Sequence, residues 1–129
     1  MNTYQIKIVE NKNDINAFHQ LPFSIYNGDE KWVPQIRQEV EDVFDKKKNK
    51  YFSHGNCQRW ILINQKTEII GRIAAFINEK KAYSFKQPTG GIGFFECIDD
   101  FDAACKLFDH AKTWLASNGM EAMDGPINF

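Results

Sequence analysis

The sequence predicts an α/β fold of α+β type: a mixed, mainly antiparallel sheet flanked by helices. Two observations carry that expectation. The order of hydrophobic patterns along the 129 residues is strand, helices, three strands, helix, strand. The three central strand patterns are separated only by turn signals or a short polar stretch, which suits antiparallel neighbours.

Each element has its own warrant. Tyr4 to Val9 alternates as a first strand. Asn13 or Asp14 is placed to cap a short helix carrying Ile15, Phe18 and Leu21, which Pro22 should limit. A loop spans Asn27 to Lys31, and Pro34 stands where a first helical turn tolerates it. Ile36, Val40, Val43 and Phe44 then form one apolar helical stripe, ending in the basic run Lys46 to Lys50. Arg59 to Ile63 and Ile69 to Ile77 read as a hairpin across the turn Gln65-Lys66-Thr67. Gln87 to Gly91 reads as a break, and Ile92 to Ile98 as a further strand. A long helix opens at Asp99-Asp100, with Phe101, Ala104, Cys105, Phe108, Ala111 and Leu115 on one face and Gly119 as its C′ residue. Ala122 to Phe129 resembles the start of another strand, broken at Gly125-Pro126.

Composition bounds the function. With 43% hydrophobic residues and 11 Phe, the chain has ample material for one packed core, so intrinsic disorder is excluded. Sixteen basic against seventeen acidic residues leave a charge of −1, so no global positive field holds nucleic acid or an anionic membrane. Apolar runs such as Trp60–Ile63 fall far short of the roughly 20 residues that a membrane helix needs. The N-terminus shows no secretory pattern. The three scattered cysteines, Cys57, Cys97 and Cys105, point to a reducing, cytoplasmic compartment. Residues 1–129 read as one domain, and the apolar end Ile127-Asn128-Phe129 suggests a piece of a longer protein. An unpaired edge strand there leads to an expected homodimer.

The phrases Trp32-Val33-Pro34, Gly71-Arg72-Ile73-Ala74-Ala75, Gly93-Phe94-Phe95-Glu96-Cys97, Trp114-Leu115 and Gly125-Pro126-Ile127-Asn128-Phe129 carry a resemblance. With the order of elements, they resemble an uncharacterised bacterial group within the acyl-CoA N-acyltransferase (GNAT) superfamily, and the chain looks like its N-terminal half. The resemblance implies an acyltransferase-like domain that moves an acyl group from acetyl-CoA, or another acyl-CoA, to a small amine. It implies a general base at Glu96 and a thioester held by the backbone of Glu96, Cys97 and Ile98, in a gap where the fourth and fifth strands part. It also implies a pyrophosphate on the amides opening the following helix, in a Gln/Arg-x-x-Gly-x-Gly/Ala pattern. The matching stretch Glu96 to Ala103 departs from that pattern: both glycines and the basic residue are missing, and Asp99, Asp100 and Asp102 stand there instead. Like charges about 4 Å apart repel by roughly 1 kcal/mol in water, and carboxylates are able to cap the same amides. Two rival readings follow: a non-catalytic module of the same fold that binds a ligand or partner, or a structural part of a longer protein with its active site elsewhere.

Other residues have plainer readings beside their functional ones. Glu96 is either a base or an ordinary strand glutamate facing solvent or paired with Arg72. Arg72 is either an anion-binding group or, as the better reading, a structural one with a local carboxylate partner. His19, His54, His110 and the cysteines lack metal-ligand spacing, so no metal site is expected. Cys97 has no activating base nearby in sequence and reads as a space-filling thiol. Gly90-Gly91-Ile92-Gly93 is no Walker-type phosphate loop. Lys46 to Lys50 with Tyr51 and Phe52 reads as a solvated helix end rather than a single-strand binder.

Overall fold

A computed structural model describes residues 4–45, 47–49, 55–84 and 86–126. Five strands lie in the order β1-β2-β3-β4-β5: β1 Gln5–Ile8, β2 Gly55–Ile63, β3 Ile69–Asn78, β4 Thr89–Cys97 and β5 Ala122–Asp124. The first four pair antiparallel, and β5 runs parallel to β4. The parallel partner needs a crossover, and α4, Phe101–Ser117, supplies it. On the opposite face lie α1, Lys12–Ile25, and α2, Arg37–Val43. A four-residue helix, α3, Glu79–Ala82, follows β3 and was not expected from the sequence.

The sheet separates two cores. Trp60, Ile73, Ala75, Leu107, Ala111 and Leu115 fill the space under α4. Phe18, Val40, Ile61, Ala74, Phe76 and Phe94 fill the space under α1 and α2. The buried residues of α4 are Ala103, Leu107, Ala111 and Leu115, a strict four-residue step. This corrects the apolar face read from sequence. Phe101 is 81% exposed, and Leu107, absent from the expected stripe, is fully buried. The helix lies close to the sheet because glycines face it: a Cβ on Gly71 would stand 2.6 Å from Leu107 Cδ1, and one on Gly90 2.5 Å from Leu115 Cδ2. Gly90 and Gly91 therefore belong inside β4 rather than to a preceding break.

Helix starts also differ from expectation. Asn11, not Asn13 or Asp14, caps α1: its side chain accepts from the Asp14 amide at 2.9 Å, while the Asp14 carboxylate takes the Asn11 amide in return. Pro22 does not end α1, which continues to Ile25. Pro34 stands before α2, whose N-cap is Ile36. Gly119, in the left-handed region at φ +86°, closes α4 as expected. Lys46, Lys50, Tyr51, Phe52, His54 and the stretch Ile127-Asn128-Phe129 lie outside the described residues.

Candidate functional site

The site is set by a bulge in β4. Register runs Arg72↔Glu96 on one side and Ala74↔Gly93 on the other, so Phe94 and Phe95 together oppose Ile73. Phe94 takes up the extra residue at φ +53°, a left-handed conformation that costs a bulky side chain about 1–3 kcal/mol. Residues two apart on a strand normally share a face. Here the parity flips: Ile92 packs in the α4 core, whereas Phe94 packs in the α1 core. Beyond the bulge, Phe95 and Cys97 lean on the α4 side, and Glu96 turns to the α1 side. Arg72 helps hold the bulge, donating from Nε to the Phe94 carbonyl at 2.9 Å.

On the α1 side lies a cavity of about 140 Å³ whose lining includes Phe23, Trp32, Arg37, Arg72 and Glu96. Tyr26 donates its hydroxyl to Glu96 Oε2 at 2.7 Å. That hydrogen bond, with burial and the Glu96 charge, raises the Tyr26 pKa, so the phenol remains the proton donor of the pair at neutral pH. Trp32 stacks on Tyr26 with centroids 5.1 Å apart and meets Phe23 edge-on at 5.1 Å, which fixes the tyrosine ring. Arg72 is only 3% exposed. Burial pulls its pKa down to about 10, against the opposing pull of Glu96 and Tyr26, so it is still a cation at pH 7. Its bonds go to the backbone carbonyls of Phe94 and Phe18 and not to a carboxylate, which corrects the ion pair expected from the sequence.

On the other side, a groove of about 750 Å³ runs between the end of α1 and the start of α4, with Ile25, Phe95, Cys97, Ile98, Asp100 and Phe101 among its walls. The groove exists because β4 and β5 pair only at Thr89, Gly90 and Gly91. From Ile92 onward β4 has no strand partner on that side among the described residues. Of the three residues assigned to hold a thioester, Cys97 and Ile98 line this groove and Glu96 faces the cavity behind it. The Ile98 amide is already committed to the Ile70 carbonyl at 3.0 Å. Burial, with the Asp100 charge, pushes the Cys97 thiol up to about 11, which keeps it in the neutral thiol form at pH 7.

At the groove's end, Asp100 is the N-cap of α4. Its Oδ1 accepts the Ala103 amide at 3.1 Å, and its Oδ2 accepts the Tyr4 hydroxyl. These bonds hold the Asp100 pKa below the usual carboxylate range. Asp99 and Asp102 are exposed beside it. A helix amide that a phosphate would use is taken by a carboxylate, and no Lys or Arg lines the groove among the described residues. Among the described residues no group of three or more His, Cys, Asp or Glu side chains is placed to hold a metal. Nor is any described helix long and apolar enough to cross a membrane.

The sheet order, the crossover through α4 and the parting of β4 from β5 define the class: the chain has the fold of the GNAT acyl-CoA N-acyltransferases. Solved structures agree in fold. A GNAT-family acetyltransferase from Staphylococcus aureus Mu50 superposes with a TM-score of 0.62 at 13% identity, over 94% of this chain and 71% of that one. The aminoglycoside N-acetyltransferase AAC(6')-Iy in complex with CoA gives 0.62 at 12%, over 99% and 79%. Glucosamine-6-phosphate N-acetyltransferase from Arabidopsis thaliana gives 0.61 at 14%, over 97% and 84%. By sequence, the chain is 32% identical over 131 residues to Protein YghO of Escherichia coli K12, covering all of this chain and 33% of that protein. It thus spans about a third of that relative's length. No family model matches the chain.

Two features of the site were missed in sequence. Tyr26 lies 70 residues from Glu96, and no local pattern links them. The bulge was equally hidden, although the crowding of Gly93, Phe94 and Phe95 marks where a strand pattern loses its alternation.

Proposed function

We propose that this domain transfers an acyl group from a thioester to a small amine, with Glu96 as the base. The supporting observation is the Tyr26–Glu96 pair: a carboxylate turned by the bulge into a cavity and fixed at 2.7 Å by a stacked phenol. A base held this way is aimed before the substrate arrives. The acceptor ammonium gives a proton to Glu96, and its nitrogen attacks the thioester carbonyl. A C–N bond forms, the C–S bond breaks, and the departing thiolate takes up a proton shed by the nitrogen. The acetyltransferases of known structure with this fold include enzymes named for amino-bearing sugars, which favours a small amine as acceptor.

The test is to incubate the chain with S-acetylpantetheine and a panel of primary amines that includes glucosamine, and to detect N-acetylated product by mass spectrometry. The proposal predicts product with the wild type and a loss of about 10²–10⁴-fold with Glu96→Gln. Equal rates for the two proteins would reject the assignment of Glu96.

The aspartates at the start of α4 favour a second reading, a module that binds ligand without chemistry. It predicts binding of thioester or amine with no acetylated product.

A further inference from the structure

The groove along β4 ends against carboxylates, and that says something about what an arm lying in it carries. We infer that a thioester donor bound here has a neutral, largely apolar arm, with no polyphosphate at the α4 end. This rests on the acyl-transfer reading and narrows it.

The walls supply the first argument. Ile25, Phe95, Ile98, Phe101 and Ala104 make most of the lining apolar, and Phe101 stands 81% exposed at the groove's edge. An uncharged chain gains by covering such a surface. The helix terminus supplies the second. An anion at a helix start is held by free amides and the positive end of the dipole. In α4 the Ala103 amide belongs to Asp100, and the Asp102 amide also turns toward that carboxylate. Asp100 cannot easily swing aside, because its second oxygen is tied to Tyr4 across 96 residues of sequence. The dipole is therefore already neutralised from within the chain. The third argument is residual charge: Asp99, exposed beside Asp100 in the groove's lining, leaves the mouth negative. Lys106, whose ammonium donates to the Tyr4 carbonyl at 2.7 Å, lies with Asp102 outside the groove's lining. A diphosphate would meet repulsion where it needs donors, while the arm itself meets none.

The test compares acetyl-CoA with S-acetylpantetheine, which shares the thioester arm and lacks every phosphate, by isothermal titration with the intact chain. S-acetylpantetheine is expected to bind at least as tightly as acetyl-CoA. The variant Asp99→Asn should strengthen acetyl-CoA binding by about fivefold, the factor that about 1 kcal/mol of repulsion represents. It should leave S-acetylpantetheine unchanged. Asp99 is exposed and does not cap the helix, so the variant is expected to fold; its melting curve checks this. Wild-type protein that binds acetyl-CoA tenfold or more tightly than S-acetylpantetheine overturns the inference and leaves acyl transfer standing. Binding of neither overturns both.

Discussion

Arg72 Nη1 donates at 2.7 Å to the carbonyl of Phe18, the one carbonyl in α1 whose helical donor is missing because Pro22 stands four residues later. A proline inside a helix leaves such a carbonyl orphaned, and here it is buried. A guanidinium from β3 replaces the absent N–H, packs over the Phe18 ring at 4.5 Å, and uses its Nε to hold the bulge at Phe94. One cation thus joins the proline of α1 to the strand irregularity, and Pro22 and Arg72 both line the Glu96 cavity.

Arg72→Met should therefore destabilise the protein by about 2–4 kcal/mol, since two buried carbonyls lose their donors. In a Pro22→Ala background the loss should be smaller by about 1 kcal/mol, because the alanine amide restores the helical bond to Phe18. Urea unfolding of the four proteins measures the difference. Strict additivity would mean that the proline and the arginine are not linked.

The corrected face of α4 gives a second contrast. Leu107→Ala should cost about 2–5 kcal/mol, because the side chain is fully buried against the sheet. Phe101→Ala should stay within about 0.5 kcal/mol despite removing a larger side chain. Thermal or urea denaturation decides, and equal losses would return Phe101 to the core.

A third expectation concerns acid. Glu41 lies 2.8 Å from His19 Nε2 and accepts two bonds from Arg59, at 2.7 and 2.9 Å. Burial alone would raise its pKa, but the hydrogen bonds from His19 and Arg59 and their charges prevail and hold it at about 2, below the ordinary 4.5. A carboxyl with a depressed folded pKa adds stability above its unfolded value and loses it as pH falls through the folded one. Stability should thus decline between about pH 4.5 and 2, and Glu41→Gln should flatten that decline while lowering stability at pH 7. Urea midpoints across that range are the measurement; an unchanged slope in the variant would assign the acid sensitivity elsewhere.

Much of the fold is legible in the sequence, and the reasons differ from element to element. The β2–β3 hairpin is clear because both strands are long, apolar and joined by a polar turn. The long helix is clear from its period, but its face differs from the pattern: Phe101 counts as apolar in any pattern, yet at the first turn of α4 it stands exposed. The expected cap falls two or three positions late because Asn11, Asn13 and Asp14 are all competent caps, and only packing chooses between them. Arg72 stands out in the sequence, but its partners do not, since backbone carbonyls freed by a proline and a bulge are not visible as a carboxylate partner would be. Glu96 was visible as a residue. Its face was not, because one inserted residue at Phe94 inverts the alternation on which facing is judged.

That inversion underlies the whole site, and a double-mutant cycle between Tyr26→Phe and Glu96→Gln tests it most directly. If the bulge turns Glu96 onto the α1 side against the Tyr26 hydroxyl, the two substitutions should couple by about 1 kcal/mol or more in urea unfolding. Effects that add to within about 0.3 kcal/mol would contradict it and place Glu96 away from Tyr26.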